Sequence, residues 1–121
     1  MKEEFLHFIW KYKLYQHDLL FTGEGESLQI VHPGQHNTNA GPDFFDARIR
    51  IGETLWAGNI EIHQRASDWN KHGHQNDPVY RNTILHVVAL SDQKVCNDLG
   101  SKVPVLVPFL VGLNSGTSKN R

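Results

Sequence analysis

At 121 residues, with 39% hydrophobic and 21% charged, the chain has the size and balance of one folded domain, able to bury a core but too short for two. The formal net charge of −1 excludes a protein drawn to duplex DNA by total charge alone, and the single Cys96 excludes an internal disulfide framework. No stretch reaches the apolar length of a membrane span, "VPVLVPFLVGL" being short and broken by two prolines, and "MKEEFLHFIW" lacks the basic flank of a signal peptide. The expectation is a cytoplasmic protein with no membrane partner and an oligomeric state that the sequence leaves open.

In chain order, Lys2 to Gln16 is predicted helical: Phe5, Leu6, Ile9, Trp10, Tyr12 and Leu14 make a broad apolar face, and Glu3 and Glu4 suit a helix N-terminus. "FTGEGES" is a turn, and "LQIVH" (Leu28–His32) is a strand closed by Pro33-Gly34. A loop of turn formers, "QHNTNAGP", leads to two alternating runs that join at Gly52-Glu53. "ASDWNKHGHQNDPVYRN" holds Gly73 and Pro78 and supports at most a short helix. "TILHVVAL" (Thr83–Leu90) is apolar on both faces, as a central strand is. After Asp92 the pattern weakens, and "NSGTSKNR" reads as disordered. These elements predict a core domain over residues 1–92 and an extension over 93–121, partly disordered and truncated relative to a longer protein.

A two-residue loop fixes the register of the hairpin. With Gly52-Glu53 as the loop, Ile51 faces Thr54, Ile49 faces Trp56, Ala47 faces Gly58 and Phe45 faces Ile60, an apolar face that Ile62 completes. The other face carries Arg50, Arg48 and Asp46 against Leu55, Ala57 and Asn59, then Glu61 and His63. Those last two project together, about 7 Å apart along the strand. Strict alternation sets Asp43 on the apolar face and Asp46 on the face of Glu61. A bulge, or re-aiming by Gly41-Pro42, brings Asp43 round; otherwise Asp46 takes its place.

"GPDFFDARIRI…WAGNIEIH", following a helix and a strand, resembles the PD-(D/E)XK nuclease superfamily. Pro42-Asp43 and Glu61-Ile62-His63 occupy the motif positions, with histidine where the pattern has lysine. The resemblance implies an α/β fold: a mixed four-stranded sheet flanked by helices, the α-β-β-β-α-β restriction-endonuclease-like core. From "EEFLHFIWKYKL" through "HPGQHNTNAGPDFF" and "DWNKHGHQNDPVY" to "ILHVV", the chain also resembles a bacterial family known only as a domain of unknown function.

The first resemblance implies metal-dependent hydrolysis of nucleic-acid phosphodiesters. A hard divalent cation, Mg²⁺ or Mn²⁺, neutralises developing charge and acidifies a water. Asp43, Glu61 and His63 are then the catalytic candidates, with Asp43, Glu61 and the Ile62 carbonyl as metal ligands and Asp46, His72, His74 and Asp77 as possible additions. His63 positions or deprotonates the water. Arg48 and Arg50 either solvate the hairpin or line a phosphate path. A different reading uses the histidines alone. His63, His72, His74 and Asp77 suit Zn²⁺, which makes the chain a zinc-binding module; histidine in place of lysine and the absence of a basic surface leave a third reading, an inactive, nuclease-derived binding domain. His86, inside "ILHVV", reads as a hydrogen-bonded core histidine, and Trp69 as core or lid packing.

Overall fold

The computed structural model describes residues 2–15 and 20–108. Its elements are α1 (Glu3–Lys11), β1 (Leu20–Phe21), β2 (Ser27–His32), β3 (Gln35–His36), β4 (Phe44–Ile51), β5 (Thr54–Arg65), α2 (Asp68–Lys71), β6 (Thr83–Leu90) and β7 (Val105–Leu106), with two 3-10 turns between α2 and β6. The strands form one mixed sheet in the order β1-β2-β4-β5-β6-β7, and β3 extends the pairing along β4. Pairing is antiparallel from β1 to β5, then parallel from β5 to β6 and from β6 to β7. Just beyond β1, the Gly23 N–H donates to the Val105 carbonyl of β7 at 2.9 Å, so the two ends of the sheet meet. The result is a nearly closed, barrel-like sheet.

This corrects the expected four-stranded sheet flanked by helices. The four expected strands are present as β2, β4, β5 and β6, but three more join them. β1, β3 and β7 are two residues long each, too short to leave an alternating pattern in the sequence. Helix is scarce because α2 spans only Asp68–Lys71 before Gly73 turns left-handed at φ 76°. The crossover from β5 to β6 is therefore carried by turns and not by a packed helix. The first helix is also shorter than predicted, ending at Lys11, with Lys13 at φ 56° breaking the pattern.

The main core is the apolar face of the sheet against α1. Leu6, Ile9 and Trp10 of the helix pack with Phe44, Ala47, Ile49, Ile60, Ile62, Leu85, Val87 and Leu106. Burial of this apolar surface is the dominant stabilising term. The Trp10 indole N–H is satisfied inside by the Pro33 carbonyl at 2.9 Å. Residues 93–108, set apart by sequence as an extension, return across the sheet: Val95 and Val103 pack on Trp69 in a second apolar cluster. The tail "NSGTSKNR" lies outside the described residues.

The hairpin register holds for Ile51–Thr54, Ile49–Trp56 and Ala47–Gly58. It then slips: Phe44, not Phe45, pairs with Ile60, and Phe45 and Asp46 together stand opposite Asn59. Asp46 takes φ 59° at this bulge, a conformation that Asp and Asn tolerate better than most residues. Trp56, read as core, is 50% exposed. It lies on the part of β5 that precedes the first pairing with β6, at Asn59–Thr83, so one side of it has no neighbouring strand.

Candidate metal centre

The bulge decides the site. One extra residue in β4 inverts the side-chain alternation beyond it, so Asp43 emerges on the same face as Glu61. The two are locked by the backbone: the Asp43 N–H donates to Glu61 Oε1 at 3.1 Å, and the Ile62 N–H donates to Asp43 Oδ2 at 2.8 Å. Two residues on from Glu61, His63 projects from the same face of β5. The parallel neighbour β6 sets His86 beside Glu61 in the register.

Ser67, Asp68 and the short α2 start a segment that folds back over these residues. Trp69, fully buried with its indole N–H on the Cys96 carbonyl at 2.9 Å, anchors it. Gly73 then turns the chain so that His74 points inward, stacked on Tyr80 with ring centroids 3.6 Å apart. His74 Nε2 lies 2.9 Å from Glu61 Oε2, and His63 Nε2 lies 3.3 Å from the same oxygen. The rings of His72 and His63 are 5.1 Å apart. One nitrogen from each of His63, His72 and His74 falls within 4.8 Å of the others, close enough for the three to hold a metal ion after a small inward movement of the side chains. His63 and His74 are buried while His72 is exposed, which leaves one side open.

The electrostatics disfavour a bare negative charge on Glu61. Burial, and then the neighbouring Asp43 charge, push Glu61 far above the usual carboxylate range. Burial, and then the other imidazoles, hold His63 down at about 3 and His74 at about 4. Near neutral pH both imidazoles are therefore uncharged and supply no positive charge to Glu61. Either the carboxyl keeps its proton or a metal ion replaces it, and neutral imidazole beside carboxylate is a donor set for transition metals.

Of the residues singled out from the sequence, Asp43, Glu61, His63, His72 and His74 come together. Asp46 stays outside, exposed at the bulge. Asp77 is spent locally, its Oδ1 accepting from the Val79 N–H at 3.0 Å. Ile62 meets the site through its N–H, its side chain lying in the core. Sequence reasoning missed Glu3 and His7 on α1. His7 Nε2 is 3.6 Å from Asp43 Oδ2 and 3.8 Å from Glu3 Oε2. Their signal was the i, i+4 spacing of an acid and a histidine on the helix. His17 lies outside the described residues.

Residues 3–110 match the model of a family described as a protein of unknown function, DUF2851. The chain belongs to that family. Comparison with curated proteins finds no match, and comparison with solved structures finds none. The family carries no activity to transfer, so function rests on the site itself. Among the described residues, no helix is long and apolar enough to cross a membrane.

Proposed function

We propose that this domain is a metal-dependent hydrolase of nucleic-acid phosphodiesters, holding one divalent transition metal through Glu61, His63, His72 and His74 with Asp43 beside it. The observation that carries the reading is Glu61 Oε2 at 2.9 Å from His74 Nε2 and 3.3 Å from His63 Nε2, in a buried cluster with one exposed histidine. Imidazoles outnumber carboxylates in this set, which favours Mn²⁺ or Zn²⁺ over Mg²⁺. When bound, the ion supplies Lewis acidity and a water of lowered pKa.

The chain's own groups have separable roles. Glu61 and His63 hold the ion from one strand, and His74, fixed between Trp69 and Tyr80, holds it from the covering segment. Asp43, less buried than Glu61, orients a water or substrate oxygen at the rim. On the same face of the hairpin, exposed Arg48 and Arg50 offer donors for phosphate contacts leading away from the site.

The test is cleavage of single- and double-stranded DNA and of RNA by chelator-treated protein resupplied with Mg²⁺, Mn²⁺ or Zn²⁺. Cleavage is expected with Mn²⁺ or Zn²⁺ and is expected to vanish in Glu61→Gln. Failure to cleave any of these substrates with any metal removes the nuclease reading. The burial of His63 and His74 favours a second reading in that event, a binding module built around a structural zinc. Zn²⁺ that co-purifies and raises the melting temperature without any cleavage would establish it.

A further inference from the structure

His63 has a second buried partner on the side away from Glu61. Its Nδ1 lies 2.7 Å from Nε2 of His86, and His86 is fully buried. The other nitrogen of His86, Nδ1, has no hydrogen-bond partner. His86 also lines a cavity of about 170 Å³ with Thr22, Ala66 and Pro104. Both rings are buried, and a buried neutral imidazole carries one proton. Only one of the two nitrogens meeting at 2.7 Å holds a proton, because that contact needs one donor and one acceptor.

Two arrangements satisfy these contacts. In the first, Nε2–H of His63 donates to Glu61 and Nε2–H of His86 donates to His63 Nδ1, leaving His86 Nδ1 a bare acceptor. In the second, His63 offers its Nε2 lone pair to a metal, its Nδ1–H donates to His86 Nε2, and His86 carries its proton on Nδ1. We infer that His86 is a positioning residue for the metal centre, and that metal loading moves the pair from the first arrangement to the second. This rests on the metal site proposed above. The proton balance closes without changing the charge of the pair. For the balance to close, the His63 Nε2 proton would leave to solvent as the ion arrives, the His86 Nε2 proton would pass to His63 Nδ1, and His86 Nδ1, unpartnered in this structure, would take up one proton from solvent. The unpartnered nitrogen is thereby the place where that proton enters, and a metal-ligating histidine gains the fixed orientation that such a partner gives.

Histidine-labelled full-length chain, titrated with Zn²⁺ alone and followed by long-range proton–nitrogen NMR, reads both tautomers directly. The expected result is that zinc moves the His63 proton to Nδ1 and the His86 proton from Nε2 to Nδ1. Zinc affinity should fall about 10- to 100-fold in His86→Phe, which keeps the volume but accepts no hydrogen bond. His86→Gln, whose amide oxygen can accept from His63, should recover most of the loss. If the wild-type chain takes up no zinc, the metal site falls and the switch with it. If zinc binds tightly while His86 Nδ1 stays bare, or if His86→Phe folds and binds zinc as the wild type does, the switch alone is overturned.

Discussion

Glu61 occupies a position where ionisation is costly: it is 4% exposed, Asp43 is beside it and its other partners are neutral imidazoles. That gives its titration a sign. A carboxyl whose folded pKa is raised above 4.5 binds its proton more tightly folded than unfolded, so the metal-free domain loses stability as pH rises above 4.5. His63, His74 and His86 are shifted the other way, from 6.5 to between about 3 and 4. They lower stability as pH falls below 6.5 and contribute no slope above it. Between pH 6.5 and 9, then, denaturant unfolding in chelator should show wild-type stability falling, with a flatter profile for Glu61→Gln. Equal slopes for the two proteins would mean that Glu61 ionises freely. Adding Zn²⁺ replaces the Glu61 proton, so the metal-induced rise in melting temperature should itself grow from pH 6 to pH 8.

At the scale of one element, the β4 bulge is what aligns Asp43 with Glu61. Its left-handed residue, Asp46, is exposed and sits outside the metal group. Asp46→Gly should leave stability within about 1 kcal/mol, because relief of the positive φ offsets the freedom glycine adds to the unfolded chain. Zinc binding should be unchanged. Asp46→Val puts a β-branched residue at φ 59° and should cost about 1–2 kcal/mol. It should also weaken zinc binding by disturbing the register that places Asp43. A loss of metal in Asp46→Gly would make Asp46 a ligand and the bulge a bystander. Gly34 is a second point of this kind: at φ 91°, a Cβ there would lie 2.7 Å from the Phe45 carbonyl oxygen. It lets β2 and β3 both run beside β4.

For the whole molecule, closure of the sheet depends on the segment after β6. Leu106 of β7 is 2% exposed within the main core, and Val103 packs on Trp69, which supports His74. Leu106→Ala should destabilise the domain by about 2–5 kcal/mol, measured by chemical denaturation. Ending the chain at Asp92 should be worse, removing β7, the contact with Gly23 and the floor beneath Trp69 together. A chain ended there that melts as the intact one does would mean the closing segment is decoration.

The sequence alone determined what is local. Alternation and the Gly52-Glu53 turn set the hairpin and its register as far as Ala47–Gly58, and the same alternation put Glu61 and His63 on one face. The composition of "DWNKHGHQND" marked a polar connector rich in ligands. Tertiary structure decided the remainder, because each remaining feature depends on contacts between residues far apart in the chain. The slip at Asp46 is one residue long and invisible to a period of two, yet it turns Asp43 from the core to the site. Strands of two residues carry no period, so the seven-stranded sheet could not be read. The partners of His63 come from β6 and from the covering segment, 23 and 11 residues along the chain. The polar side chains that alternation placed on one face of the hairpin became a buried cluster of imidazole and carboxylate only when Trp69 pinned that segment across them.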